Sequence, residues 1–143
     1  MEPSHVLVPL DGSPLAEDAL EYTVSVFDCP VTVLNVVTHL DSSMSESGVL
    51  DDEETRMGEA RANAEAVVDD VLDSTDTDGA DVDVVVESGD PAETILRYVD
   101  EHDVDHVVMG GHGGDRGQLA KRLLGTLSMA VVGDAPVPVT VVR

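Results

Sequence analysis

The chain has 143 residues, of which 30 are acidic and 7 are basic, giving a formal net charge of −23 at pH 7 with 42% hydrophobic residues. This length and apolar content predict one globular domain covering residues 1–143. The negative field excludes nucleic acid and anionic membranes as favourable partners. The excess of acid is typical of a halophilic protein, because strong salt shortens the Debye length to about 3 Å at 1 M. An acidic protein without salt adaptation is the alternative.

The sequence carries no sign of export or membrane insertion. No apolar run approaches the roughly 18 residues that a membrane span needs. Residues 1–5 have neither a basic region nor an apolar signal core, which predicts a cytoplasmic protein. The single Cys29, before Pro30, cannot form an internal disulfide and is expected to be a buried thiol.

The first part of the chain alternates between strand and helix patterns. The apolar run 5–10 predicts a buried strand, and a turn signal follows at 11–13. Ser13 then caps a helix that has Pro14 at its first position and ends at 28–30. The predicted inner face of this helix consists of Leu15, Ala19, Leu20 and Val24 to Phe27. A second strand is predicted at 31–37.

A loop and a long helix follow. Residues 38–52 lack periodicity and are rich in serine, so they predict a mobile loop. The segment 53–74 predicts a helix. Its apolar stripe consists of Ala60, Ala64, Val67, Val68, Val71 and Leu72. We interpret the acidic residues of this helix as a solvated face rather than a metal site.

The remaining elements continue the alternation. Strands are predicted at 82–87, 104–110 and 137–142, with a helix opening at Pro91 and a last helix at about 125–133. The helix that opens at Pro91 should bury Ile95, Leu96 and Val99. Strands with continuous hydrophobicity are covered on both faces, which indicates a parallel sheet with crossover helices. The fold class predicted is therefore α/β, with a single doubly wound, Rossmann-like, five-stranded parallel sheet.

The segment "GGHGGDRGQLAKRLLGT", residues 110–126, is the most unusual part of the chain. It holds three of the seven basic residues, Arg116, Lys121 and Arg122. Glycines allow main-chain N–H groups to surround an anion, and the helix start at 125–126 adds further donors. The pattern favours phosphate or nucleotide binding, and a flexible surface loop with solubilising charges is the alternative.

Asp11, at the end of the first strand, fits the same site if the first and fourth strands are neighbours. Ligands of such sheets bind beyond the carboxyl ends of the strands, and a carboxylate there commonly accepts from ribose hydroxyls. Two simpler nucleotide motifs are excluded. Arg116 stands where a GxGxxG fingerprint needs its third glycine, and the chain has no GK[ST] sequence.

Together these segments resemble the universal stress protein family over essentially the whole length. The resemblance rests on "VLVPLDGSPLAEDAL", on "SGDPAETIL", and on "VDHVVMGGHG" followed by "LLGTLSMAVV" and "APVPVTVV". It implies a parallel sheet of order 3-2-1-4-5. It also implies a homodimer formed through the last strand, 137–142, which would be an apolar edge of the sheet.

The ATP-binding branch of that family carries Gly, two residues, Gly, nine residues, then Gly-Ser or Gly-Thr. Gly110, Gly113 and Gly125-Thr126 match these anchors, but eleven residues separate Gly113 from Gly125. The resemblance implies that Asp11 holds the ribose, that Val36 meets adenine through its main chain, and that Mg²⁺ is carried on the phosphates. The full set of predicted nucleotide contacts is Pro9, Leu10, Asp11, Val36, Met109, Gly110, Gly113, Gly125, Thr126, Leu127 and Ser128.

The function predicted is binding of ATP by a sensor or regulator of the stress response. A nucleotide-independent dimerisation module of the same fold is one alternative. A slow ATPase or adenylyltransferase is another, which the sequence disfavours because His112 has no second catalytic group beside it in the motif. We interpret His112 as a hydrogen-bonding residue of the loop.

Overall fold

The computed structural model describes residues 3–10, 14–38, 53–75, 81–111 and 126–143. In chain order the elements of these ranges are β1 (Val6–Pro9), α1 (Pro14–Val26), β2 (Val31–Val37), α2 (Glu53–Thr75), β3 (Val82–Ser88), α3 (Pro91–Glu101), β4 (His106–Gly110), α4 (Thr126–Asp134) and β5 (Val139–Val142). The loop predicted at 38–52 falls, apart from its first residue, outside the described residues.

The predicted elements are confirmed, with differences of one or two residues at several ends. β2 has the predicted bounds, and α1 begins at Pro14 as expected. β5 starts at Val139 rather than at residue 137. The reason is Pro138, which has no N–H to donate to the sheet and contributes only its carbonyl, which accepts from Val107 N–H at 3.0 Å.

The five strands form one parallel sheet in the order β3-β2-β1-β4-β5, as predicted. β1 is central, with Val6 opposite Val31 of β2 on one side and opposite His106 of β4 on the other. The predicted adjacency of the first and fourth strands is therefore confirmed. Leu10 and Gly111, which follow these two strands, lead into the two segments expected to build the site.

Two apolar cores lie on opposite faces of the sheet, which explains the continuous hydrophobicity of its strands. Val6 and Val8 of β1 pack with residues of α1 and α2, whereas Leu7 packs with residues of α3. All four residues of β1 are buried. Helices on both faces of a parallel sheet give the doubly wound α/β architecture.

The buried face of α1 differs from the prediction. Its buried residues are Ala16, Ala19, Leu20, Thr23 and Val24. Leu15 and Phe27 are only half-buried, and Val26 is 56% exposed. The face is rotated toward Thr23, which is fully buried because its hydroxyl donates to Ala19 C=O at 2.7 Å and so needs no water. In α3, similarly, Tyr98 is buried and Leu96 is half-buried.

The start of α3 is fixed by local hydrogen bonding. Asp90 is the N-cap residue, and its carboxylate accepts from Glu93 N–H at 3.0 Å. Gly89 has a φ of +141°, a conformation that L side chains rarely adopt. These residues set the first turn of α3 at the carboxyl-end edge of the sheet.

Candidate functional site

A cavity of about 400 Å³ opens at the carboxyl ends of β1 and β2; we call it the strand-end cavity. Its described lining residues are Pro9, Leu10, Leu34, Asn35, Val36, Val37, Thr38, Arg56, Glu59, Ala60, Asn63, Pro91, Ile95 and Leu127. The strands form its floor, α2 forms one wall, and the first turns of α3 and α4 form the other. Its volume and mainly apolar lining are those of a small-ligand pocket.

The main chain of Val36 points toward this cavity. Pairing between β1 and β2 ends with Pro9 opposite Leu34, and Leu10 N–H donates to Leu34 C=O at 2.9 Å. Alternate residues of a strand turn their N–H and C=O to the same side, so Val36 directs both toward the β1 side. Because β2 continues to Val37, these groups lie beyond the end of β1, where a ligand has access to them.

Gly110 is required by close packing between β4 and α1. A Cβ added at this residue would lie 2.9 Å from the main-chain carbon and Cβ of Leu15 and 3.0 Å from Ala16 N. Carbon atoms in contact are normally about 3.5–4.0 Å apart. The glycine therefore allows the glycine-rich segment to begin directly against the first turn of α1.

Ser128 connects α4 to the same point. Its hydroxyl donates to Gly110 C=O at 2.8 Å or to Gly111 C=O at 3.2 Å, and the residue is 2% exposed. Gly111 N–H donates to Val142 C=O at 2.8 Å. Ser128 thus holds the first turn of α4 against the end of β4, while its contact with a phosphate stays a prediction.

The structure places the other predicted site residues as follows. Pro9, Leu10, Val36 and Leu127 line the strand-end cavity. Met109 is 3% exposed and packs in the core on the α3 side. Thr126 begins α4. Asp11, Gly113 and Gly125 lie outside the described residues, as do His112, Arg116, Lys121 and Arg122.

The sequence interpretation missed the α2 wall of the cavity. Arg56, Glu59 and Asn63 line it at intervals of three and four residues, which places them on one face of the helix. The sequence interpretation placed the acidic residues of this helix on a solvated face and gave Arg56 and Asn63 no role. The signal that could have found them is that Arg56 is the first basic residue of the chain.

The opposite, amino-terminal edge of the sheet carries the titratable groups with shifted pKa values. Burial lowers the pKa of His106 below 6.5, opposed by the negative charge of Asp105. Burial raises the pKa of Asp105, but hydrogen bonds from Ser4 and His5 outweigh it, so that the net pKa lies below 3.8. The Ser4 hydroxyl donates to this carboxylate at 2.7 Å. These groups lie at the starts of β1 and β4, where their hydrogen bonds stabilise the fold, and they do not line the cavity.

Within the ranges given above, no three His, Cys, Asp or Glu side chains are grouped as metal ligands. None of the helices in those ranges has the length and apolar content required to cross a bilayer.

Residues 3–143 match the model of the universal stress protein family. The chain belongs to this family. A universal stress protein of Methanothermobacter thermautotrophicus is 41% identical over 59 residues, a stretch that covers 41% of this chain and 38% of that relative.

Solved structures of the family share the whole fold. Universal stress protein UspA from Lactobacillus plantarum has a TM-score of 0.77 and 25% identity, covering 100% of this chain and 99% of its own. A universal stress protein in complex with cAMP has a TM-score of 0.68, 22% identity and coverage of 100% and 99%. One from Archaeoglobus fulgidus in complex with dAMP has a TM-score of 0.61, 18% identity and coverage of 100% and 98%.

Proposed function

We propose that this universal stress protein binds an adenine nucleotide, ATP, in the strand-end cavity and acts as a sensor or regulator. The observation that carries the proposal is the cavity itself, because its lining includes Pro9, Leu10, Val36 and Leu127, which the family resemblance assigned to nucleotide contact. The complexes of related proteins with cAMP and dAMP support adenine as the base.

The base would lie over the strand ends. The edge of adenine carries an amino donor and ring nitrogen acceptors, which match the N–H and C=O of Val36. Leu34 and Ile95 supply apolar surface in the same cavity for one face of the ring. This arrangement needs no charged side chain to orient the base.

The phosphates would extend toward the glycine-rich segment. Gly110 and the first turn of α4, at Thr126, lie at the edge of the sheet where this segment begins and ends. Helix N-termini bind phosphate through their free N–H groups. Gly113 and Gly125 would complete this cradle together with the main-chain N–H of Ser128, since the Ser128 hydroxyl already donates to a carbonyl. Asp11 would hold the ribose, and Mg²⁺ would supply charge neutralisation of the phosphates.

The test is mass spectrometry of nucleotide released from denatured protein, combined with calorimetric titration of ATP in strong salt. We expect adenine nucleotide in the first measurement and saturable heat in the second. The variant Gly125→Ala/Thr126→Ala should bind ATP more weakly. Gly133→Ala is the matched control, because an added Cβ there meets nothing within 4 Å. Absence of both nucleotide and heat contradicts the proposal.

We also propose homodimerisation through β5 and the two residues before it, segment 137–142. Pro138 and Val142 direct their carbonyls to β4, so Val139 and Val141 direct their main-chain groups to the open edge. Met129 and Val132 of α4, which contacts β5, are 61% and 46% exposed. Apolar surface beside an unpaired edge strand favours association.

Sedimentation equilibrium tests this second proposal. Val141→Pro removes an edge-facing N–H while leaving the carbonyls that bond β4, so we expect a folded monomer. A wild-type chain that sediments as a monomer in strong salt contradicts it. A dimer that binds no adenine compound would instead favour the nucleotide-independent dimerisation module.

Adaptation to salt is the third part of the proposal. The last turns of α2, α3 and α4 contain no basic residue, and they carry acids such as Asp73, Glu101 and Asp134. Negative charge at a helix C-terminus opposes the helix dipole, and salt screens this repulsion. We expect the midpoint of thermal unfolding to rise between about 0.1 and 1 M KCl, where the Debye length falls from about 10 to 3 Å. A constant or falling midpoint contradicts this.

A further inference from the structure

Arg56 differs from Arg61 and Arg97 in its position and burial. Arg61 faces Glu65 at 3.4 Å and Arg97 faces Glu87 at 3.8 Å, and both arginine side chains are at least half exposed. Arg56 lines the strand-end cavity, is half-buried, and has a buried Nε atom. A guanidinium at this place brings a planar cation into a mainly apolar pocket of a strongly acidic chain.

The two walls of the cavity come from opposite faces of the sheet. Arg56 and Ala60 belong to α2, which packs with α1 on one face, whereas Ile95 and Leu127 belong to the helices that cover the other face. A flat ligand lying over the strand ends would therefore have the α2 layer against one of its faces and an apolar surface against the other.

We propose that Arg56 stacks on the adenine base and makes α2 a ligand-binding wall of the pocket; this inference rests on the nucleotide binding proposed above. Arg56 lines the same cavity as Val36, whose main chain would bind the base edge. Gly110, the phosphate anchor, is not among the described residues that line this cavity. The guanidinium is planar and weakly hydrated, so it stacks on aromatic rings where an ammonium group would stay solvated.

Calorimetric titration with adenosine, AMP and ATP separates base contact from phosphate contact. We expect Arg56→Gln to weaken all three ligands by the same factor, about tenfold. Arg56→Lys keeps the positive charge without the planar group and should restore little of the lost affinity. Arg61→Gln is the matched control on the same helix, because Arg61 lines a separate surface groove, and it should leave all three affinities unchanged.

Each other outcome has a distinct meaning. Wild-type affinities in Arg56→Gln overturn the stacking and leave the proposed function intact. A loss that grows from adenosine to ATP and is restored by Arg56→Lys shows a phosphate contact, which also overturns it. A wild-type protein that binds none of the three ligands overturns the proposed function and this inference with it. Unchanged thermal unfolding of the variants verifies that they are folded.

Discussion

The close contact between β4 and α1 at Gly110 predicts how far the variant Gly110→Ala is destabilised. The new methyl group would lie 2.9 Å from the Leu15 main-chain carbon. Reaching an ordinary carbon contact of about 3.5 Å requires β4 and α1 to separate by roughly 0.6 Å. Rotation of the Leu15 side chain gives no relief, because the contacted atoms are its main-chain carbon and Cβ.

This separation disturbs a well-packed core, since Ala16 is 2% exposed and Val108 of β4 is fully buried. Overpacking of this kind costs about 1–3 kcal/mol. We therefore expect the free energy of unfolding to fall by about 1–3 kcal/mol and Tm to fall by roughly 3–10 °C. Urea unfolding followed by far-UV circular dichroism measures the first quantity, and calorimetry measures the second.

Gly58→Ala is the matched control. Gly58 lies in the interior of α2 with nothing within 4 Å of an added Cβ, and it is exposed. Alanine should stabilise the helix there by about 0.5–1 kcal/mol. Both substitutions restrict the unfolded chain equally, so their opposite signs isolate the steric term. A Gly110→Ala protein as stable as the wild type would contradict the close packing of β4 against α1.

Three further predictions concern single side chains. Ser128→Ala removes the donor to Gly110 C=O and should lower the free energy of unfolding by about 1–2 kcal/mol in urea titrations, whereas no change would contradict this link. Burial lowers the pKa of His106 in the folded protein, whereas the same histidine in the unfolded chain has a pKa near 6.5. The free energy of unfolding should therefore decline as pH falls from 6.5 through the lowered pKa. His106→Gln should reduce that decline, and an unchanged pH profile of the urea midpoint would refute it. Burial raises the pKa of Asp105, but hydrogen bonds from Ser4 lower it by more, so that the net pKa lies below 3.8. The carboxylate therefore stabilises the fold above pH 3.8 and loses this effect as pH falls through the lowered pKa. Asp105→Asn should therefore be less stable than the wild type at neutral pH, by a difference that shrinks in acid; a difference independent of pH would contradict it.

The sheet could be predicted from the sequence because its signals are local and redundant. β2 is a mainly apolar run between Pro30 and Thr38, with Thr32 and Asn35 as its polar members, and α1 begins at a proline that suits only the first turn of a helix. The position of β1 between β2 and β4 then follows from the rules for parallel crossovers and from the family resemblance.

The candidate site could be predicted only in part, because its walls depend on tertiary placement. Thr23 is missing from the predicted inner face of α1, because a hydropathy pattern does not show that its hydroxyl donates to Ala19 C=O. Arg56 was overlooked for a similar reason. The sequence pattern of a helix does not show whether a charged side chain faces solvent or the ends of neighbouring strands, as that of Arg56 does. Pro9, Leu10 and Val36 could be predicted because they lie at the carboxyl ends of the apolar runs 5–10 and 31–37.

The strand-end cavity has one wall from each helical layer, and this has a thermodynamic consequence. α2 and α3 would contact a common ligand there although they pack on opposite faces of the sheet. The binding surface therefore exists only when both layers are assembled, and a ligand bound to it stabilises the folded chain as one unit. At a free ligand concentration 100 times the Kd, this linkage adds about 2.7 kcal/mol to the free energy of unfolding. Occupancy of the cavity would thus increase the resistance of the entire described fold to unfolding.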